Sequence, residues 1–267
     1  MRIYGVDFSS APSKAKAITV ASGLAKGSVF RLQEIENLES FAAFEAFLRR
    51  PGPWVGGFDF PFGLARQAVV DLAWPLAWRD LLVHCAALGR REFKRLLDAY
   101  RETRPAGDRY AKRGGDAASG AHPSVKLVNP PVGFMFLEGA ARLAAAGVHV
   151  PGLDANGDSR IALEAYPGLL VRRLGAGSYK SDDPAKQTAA RRSARRRILA
   201  AVKQGEPMGV RVQIGKELEG AILRDGTADL LDAVLCAVQA HWGWLRARQN
   251  YGLPEKIDPL EGWIVSA

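Results

Sequence analysis

The sequence predicts an α/β protein built on a mixed sheet, an antiparallel meander joined to parallel strands and flanked by helices. Three observations carry this. Strand-like runs at Ile3–Phe8, Ala15–Ala21 and Ser28–Ile35 follow one another with no room for a helix between them, the pattern of a meander. A helical stretch, Leu38–Arg50, then precedes a fourth strand-like run, Trp54–Phe60, and a strand reached through a crossover helix lies parallel to one already in the sheet. The first and fourth runs both carry an aspartate at their carboxyl end, Asp7 and Asp59, the edge at which open α/β sheets collect ligands.

Each element follows from local chemistry. Ile3, Tyr4, Val6 and Phe8 are strand formers, and Ser9-Ser10-Ala11-Pro12 ends the run with small polar residues and a proline that cannot donate to the ladder. The turn between the next two strands falls at Gly23–Gly27, and Phe41, Phe44, Ala46 and Leu48 are apolar positions of the helix that Pro51-Gly52-Pro53 terminates. Residues 64–157 interrupt this alternation. Arg66–Leu72, Trp78–Leu88, Arg91–Arg101 and Phe134–Ala146 read as helices, separated by a basic loop, Arg104–Asn129, with Lys112 and Arg113. A loop of that length is functional or mobile: it is a contact for backbone phosphates or a solvated loop.

Strand character returns at Ile161–Tyr166, ending in Glu164-Ala165-Tyr166-Pro167. A helix to Leu174 follows, then a glycine-rich turn, Gly175–Lys180, which lacks the full spacing of a phosphate loop. Asp182–Val202 reads as one helix bearing Arg191, Arg192, Arg195, Arg196 and Arg197. Positions 192, 195 and 196 share a face at helical spacing, and that face is either solvated or a phosphate contact, for which arginine is suited. The last main helix runs from Asp225-Gly226-Thr227 to about Arg246, with Leu231, Val234, Leu235, Val238, Trp242 and Leu245 as its buried stripe. Asp229 and Asp232 lie on it, about 60° apart around the axis. Asp229 is placed as a first-turn acid favouring the helix dipole, whereas Asp232 sits on the shoulder of the apolar stripe. His241 reads as a core residue.

The order of elements, with acids ending the first and fourth strands, resembles the ribonuclease H-like fold. Gly5-Val6-Asp7-Phe8-Ser9, Gly57-Phe58-Asp59-Phe60-Pro61-Phe62-Gly63, Glu164-Ala165-Tyr166-Pro167, Asp229-Leu230-Leu231-Asp232-Ala233 and the terminal Glu261-Gly262-Trp263-Ile264 together resemble the domain-of-unknown-function family 429. The resemblance implies a single ribonuclease H-like domain over residues 1–267, with 64–157 a mainly helical insertion. It also implies a nuclease, an activity inferred for the family from the fold.

Asp7, Asp59, Glu164 and Asp232, with Asp229, are hard oxygen ligands that would repel one another without a cation. Such a set suits Mg²⁺ or Mn²⁺, and a pair of such ions roughly 3.5–4 Å apart supports phosphodiester cleavage. Asp7 is expected to bridge, Asp59, Asp232 and Asp229 to complete the metal shells, and Glu164 to ligate or to orient water if its side chain faces the site. Ser9 and Ser10 lack a partnered base for serine chemistry. An actin-like or sugar-kinase-type phosphotransferase is the alternative, and a catalytically silent nucleic-acid-binding domain a third reading.

Composition sets the outer bounds. With 48% hydrophobic residues among 267 the chain can build a core, and 37 Lys and Arg against 28 Asp and Glu leave a charge of +9. That balance favours a polyanionic partner, DNA or RNA, at Arg192, Arg195, Arg196, Lys112 and Arg113. Cys85 and Cys236 lie in apolar stretches without Cys/His pairing, which argues against a structural zinc and predicts reduced, buried thiols. No apolar run has the length of a signal or a membrane span, so a cytoplasmic protein is expected.

Overall fold

The computed structural model describes residues 1–267. Strands β1 (Arg2–Asp7), β2 (Ile18–Lys26) and β3 (Val29–Leu38) lead through α1 (Phe41–Leu48) to β4 (Trp54–Asp59). Helices α2 (Arg66–Asp71), α3 (Trp78–Thr103), α4 (Gly114–Ser119) and α5 (Val132–Ala146) precede β5 (Arg160–Glu164) and α6 (Pro167–Arg173). The chain closes with α7 (Ala189–Gln204), β6 (Arg211–Gln213), α8 (Lys216–Arg224) and α9 (Asp229–Trp244). The sheet has six strands in the order β5-β4-β1-β2-β3-β6. β1, β2 and β3 pair antiparallel, β4 runs parallel to β1 and β5, and β6 runs parallel to β3. This is an α/β fold with a mixed sheet flanked by helices, consistent with a ribonuclease H-like fold.

Strand alternation divides the core in two. Tyr4, Val6, Phe8, Trp54 and Phe58 point to one face and pack with α1, α3 and α5 in a cluster of 37 buried residues. Ile3 and Val55 point to the other, where α6, α7 and α9 build a cluster of 29. α9 lies directly on β1 and β4, and two glycines let it. A Cβ at Gly5 would fall 2.0 Å from the Ala233 carbonyl oxygen, and one at Gly57 2.3 Å from that of Cys236. Gly5 and Asp7 share a strand face, as do Gly57 and Asp59, so the glycines that seat α9 also aim both aspartates at its first turn.

Several expectations shift. β2 and β3 begin later and run longer than predicted, and their turn is at Gly27-Ser28. The two helices expected at 78–88 and 91–101 meet at Gly89, whose φ of 66° and ψ of 167° break the helical path where the sequence placed the gap, and the second runs on to Thr103. The loop 104–129 contains α4. Residues 182–202 are not one helix: Pro184 opens a short 3₁₀ turn (Pro184–Lys186), and Thr188 caps α7 by accepting from the Arg191 amide. β6 and α8 were not anticipated, although Val210, Val212 and Ile214 alternate with polar residues and 216–224 is amphipathic; β6 is three residues long and pairs only with β3. No helix is long and apolar enough to cross a membrane.

Candidate functional site

The carboxyl ends of β1 and β4 bring Asp7 and Asp59 directly opposite each other in the parallel register. The first turn of α9 brings Asp229 and Asp232 against them. That turn is fixed by Asp225, whose carboxylate accepts from the Thr227 and Leu230 amides at 3.0 Å each and from the Thr227 hydroxyl at 2.7 Å. Sequence reading therefore located four of the acids at one place.

Two of the four have partners. The fully buried Asp232 accepts a hydrogen bond from the Tyr179 hydroxyl at 2.7 Å and one from the Lys180 ammonium at 2.6 Å. Asp229 accepts from the Lys16 ammonium at 2.8 and 2.9 Å. Asp7 and Asp59 accept no hydrogen bond from the protein. Burial, then the Asp232 and Asp229 carboxylates, push the Asp7 carboxyl well above the usual range. Burial, with further contributions from Asp232 and Glu164, raises Asp59 to about 7, against the opposing pull of Lys180. The Asp232 carboxylate holds the Lys180 ammonium above its ordinary value, so Lys180 is charged. Four carboxylates thus meet two ammonium groups, and the deficit falls on Asp7 and Asp59.

Glu164 is not part of this group. It stands opposite Phe58 in the β4–β5 register, one residue out of step with Asp59, so the two-residue period of the strand sends it to the opposite face of the sheet. There its oxygens accept from the Arg113 guanidinium at 2.6 and 2.8 Å and from the Phe62 amide at 2.9 Å. Arg113 is itself buried and also pairs with Asp116 at 2.7 Å. The expected ligand and the expected phosphate contact form one internal ion network. Arg195 is corrected likewise: it is buried beside Ala194, Ile198 and Leu199 and donates to the Tyr179 carbonyl at 2.8 Å. Helix α7 turns position 195 inward, while Arg192, Arg196 and Lys112 remain exposed. Glu261 in the terminal motif accepts from the Arg66 and Gly114 amides at 2.8 Å and so ties the C-terminal segment to the insertion.

Tyr179, Lys180 and Lys16 were not singled out as site residues. Lys180 was visible only as the end of a glycine-rich turn, and Lys16 not at all, because their roles arise from contacts 52 and 213 residues distant in sequence. Cys236 lies beneath the acids, where burial and then Asp59, Asp7 and Asp232 push its thiol up. It stays protonated and offers no nucleophile. His241 packs in the core with Nε2 2.8 Å from the Gly27 carbonyl oxygen.

A divalent cation would meet this donor set at the ends of β1 and β4. As the side chains stand, no three Asp, Glu, His or Cys residues converge on one point, because Lys180 and Lys16 hold Asp232 and Asp229. Asp7 and Asp59 nevertheless fit: they are adjacent, oxygen-only and unpartnered, and Mg²⁺ is commonly held by one or two carboxylates with water and substrate phosphate completing its shell.

The family model described as "Protein of unknown function (DUF429)" matches residues 5–255. No curated protein and no solved structure matches the chain. The matched span runs from the glycine two residues before Asp7 to well beyond α9 and includes every acid of the site, and the chain belongs to the domain-of-unknown-function family 429.

Proposed function

We propose that the protein is a metal-dependent nuclease that hydrolyses phosphodiester bonds of DNA or RNA at the ends of β1 and β4. The observation that carries this reading is the pair Asp7 and Asp59, side by side without a protein hydrogen-bond partner and with raised pKa values. Adjacent, largely desolvated carboxylates that repel one another are costly unless a cation or a catalytic task maintains them. A bound Mg²⁺ or Mn²⁺ would supply Lewis acidity and an activated water.

In this reading Asp7 and Asp59 would hold the cation, with Asp232 the neighbouring carboxylate that could join them. Lys180, whose side chain is 47% exposed, then faces the substrate phosphate, and Tyr179 keeps Asp232 oriented through its hydroxyl. Asp229 with Lys16 borders the site. Cys85 and Cys236 are free, buried thiols, which accords with a reducing compartment, the cytoplasm.

The test is Mn²⁺ titration followed by thermal unfolding, with DNA and RNA cleavage assayed in parallel. Mn²⁺ should stabilise the wild type by mass action and Asp7→Asn much less, and cleavage should require the metal and vanish in the variant. Equal stabilisation of both proteins would overturn the metal site. Metal binding without cleavage of either nucleic acid would overturn the nuclease alone.

A further inference from the structure

The segment that sends Tyr179 and Lys180 to Asp232 begins in a second feature. Ser178, one residue earlier, lines a cleft of about 620 Å³ between the 175–180 turn and the start of α7. Lys186, Arg191 and Arg197 line it with Ser178, and Ala176, Ala185, Ala190 and Ala194 keep it open. No carboxylate is among its lining residues. Arg191 donates through Nε to the Ser178 hydroxyl at 3.1 Å and through Nη1 to the Lys186 carbonyl, and Arg197 donates to the Ala176 carbonyl at 3.4 Å. Both guanidiniums are thereby held by neutral groups and keep their full charge for a ligand. Lys186 alone has an acid nearby, Asp183 at 3.4 Å on the exposed surface.

We propose that this cleft binds a phosphodiester of a nucleic-acid strand, from which the strand runs past the exposed Ser178 and Lys180 to the acids. Arginine suits the flat, multidentate recognition of phosphate, and the first-turn amides of a helix favour the same charge. The alanine-lined walls leave space beside the cations for a sugar. The cleft is distinct from the exposed Arg192 and Arg196. The proposal deepens the nuclease reading, on which the identity of the strand rests.

The test is anisotropy of a short labelled oligonucleotide, as DNA and as RNA, titrated in EDTA across a salt series, with inorganic phosphate as competitor. No cleavage occurs under these conditions, so binding that survives where metal-dependent cleavage fails would sink the nuclease and leave the cleft intact. Arg191→Ala/Arg197→Ala should weaken binding at least about tenfold and lower the salt slope by about 1.4, at roughly 0.7 per lost contact in single strands. Ser178→Glu, which adds an anion without removing a guanidinium, should weaken it similarly. Unchanged affinity and slope in both variants would overturn the cleft. Inorganic phosphate displacing the oligonucleotide at concentrations near the oligonucleotide's own Kd would overturn the strand assignment in favour of a free anion.

Discussion

At the scale of single residues, Asp59 is one of the carboxyls that tie stability to pH. Its carboxyl titrates at about 7 in the folded chain and near 3.9 when unfolded. The folded state therefore holds a proton that the unfolded state lacks between those values, and stability falls as pH rises through that window. The full shift would correspond to roughly 4 kcal/mol at 1.36 kcal/mol per unit. The side chain is partly exposed, so solvent screening leaves only a fraction of that. Asp59→Asn removes this loss. It should unfold several degrees higher than the wild type at pH 8 without metal and no higher at pH 4, as read by thermal melts across the pH series. A constant difference at all pH values would place the effect in packing rather than in ionisation.

At the scale of elements, the site depends on how closely α9 approaches β1 and β4. The carbonyl oxygens of Ala233 and Cys236 occupy the space that a side chain at Gly5 or Gly57 would need. Backbone cannot rotate away as a side chain does, so Gly57→Ala must lift the helix from the sheet. Overpacking of this kind costs about 1–3 kcal/mol or more, measurable by urea denaturation. The same lift separates Asp232 from Asp59, so Mn²⁺ stabilisation should fall along with stability. A stable Gly57→Ala protein with undiminished Mn²⁺ response would show that the helix is not what positions the site.

At the scale of the whole molecule, the helical region over 64–157 and the sheet are joined by charge as well as by packing. Arg113, at the start of α4, pairs with Glu164 on β5 with both side chains almost fully buried. Phe93 and Phe136 share one core with Val6 and Phe58. Glu164→Gln leaves the buried guanidinium with Asp116 as its remaining carboxylate, and breaking a buried pair in this way costs about 3–5 kcal/mol. Circular dichroism and tryptophan fluorescence, recorded through the same melt, should shift together. Separate transitions would identify the region over 64–157 as an independent folding unit.

The sequence by itself determined the mixed sheet, the position of its acid-bearing edge and the family. These rest on signals that are local or repeat locally: apolar runs ended by proline, a helix long enough for a crossover, an aspartate at each of two strand ends, and a helical stripe with Asp232 on its shoulder. The spacing of Gly5 before Asp7 and of Gly57 before Asp59 was present too, and with hindsight it marks the strand faces on which α9 rests. Only the tertiary structure decided which charges oppose those acids. Glu164 left the site because a register offset of one residue reverses a strand face, and no local pattern encodes register between strands about 100 residues apart. Arg113 and Arg195 turned inward, and Lys180 and Lys16 turned to the acids, because a long side chain chooses its partner from whatever folding brings near. Charge type is written in the sequence, whereas charge pairing is a property of distances that only the packed chain possesses.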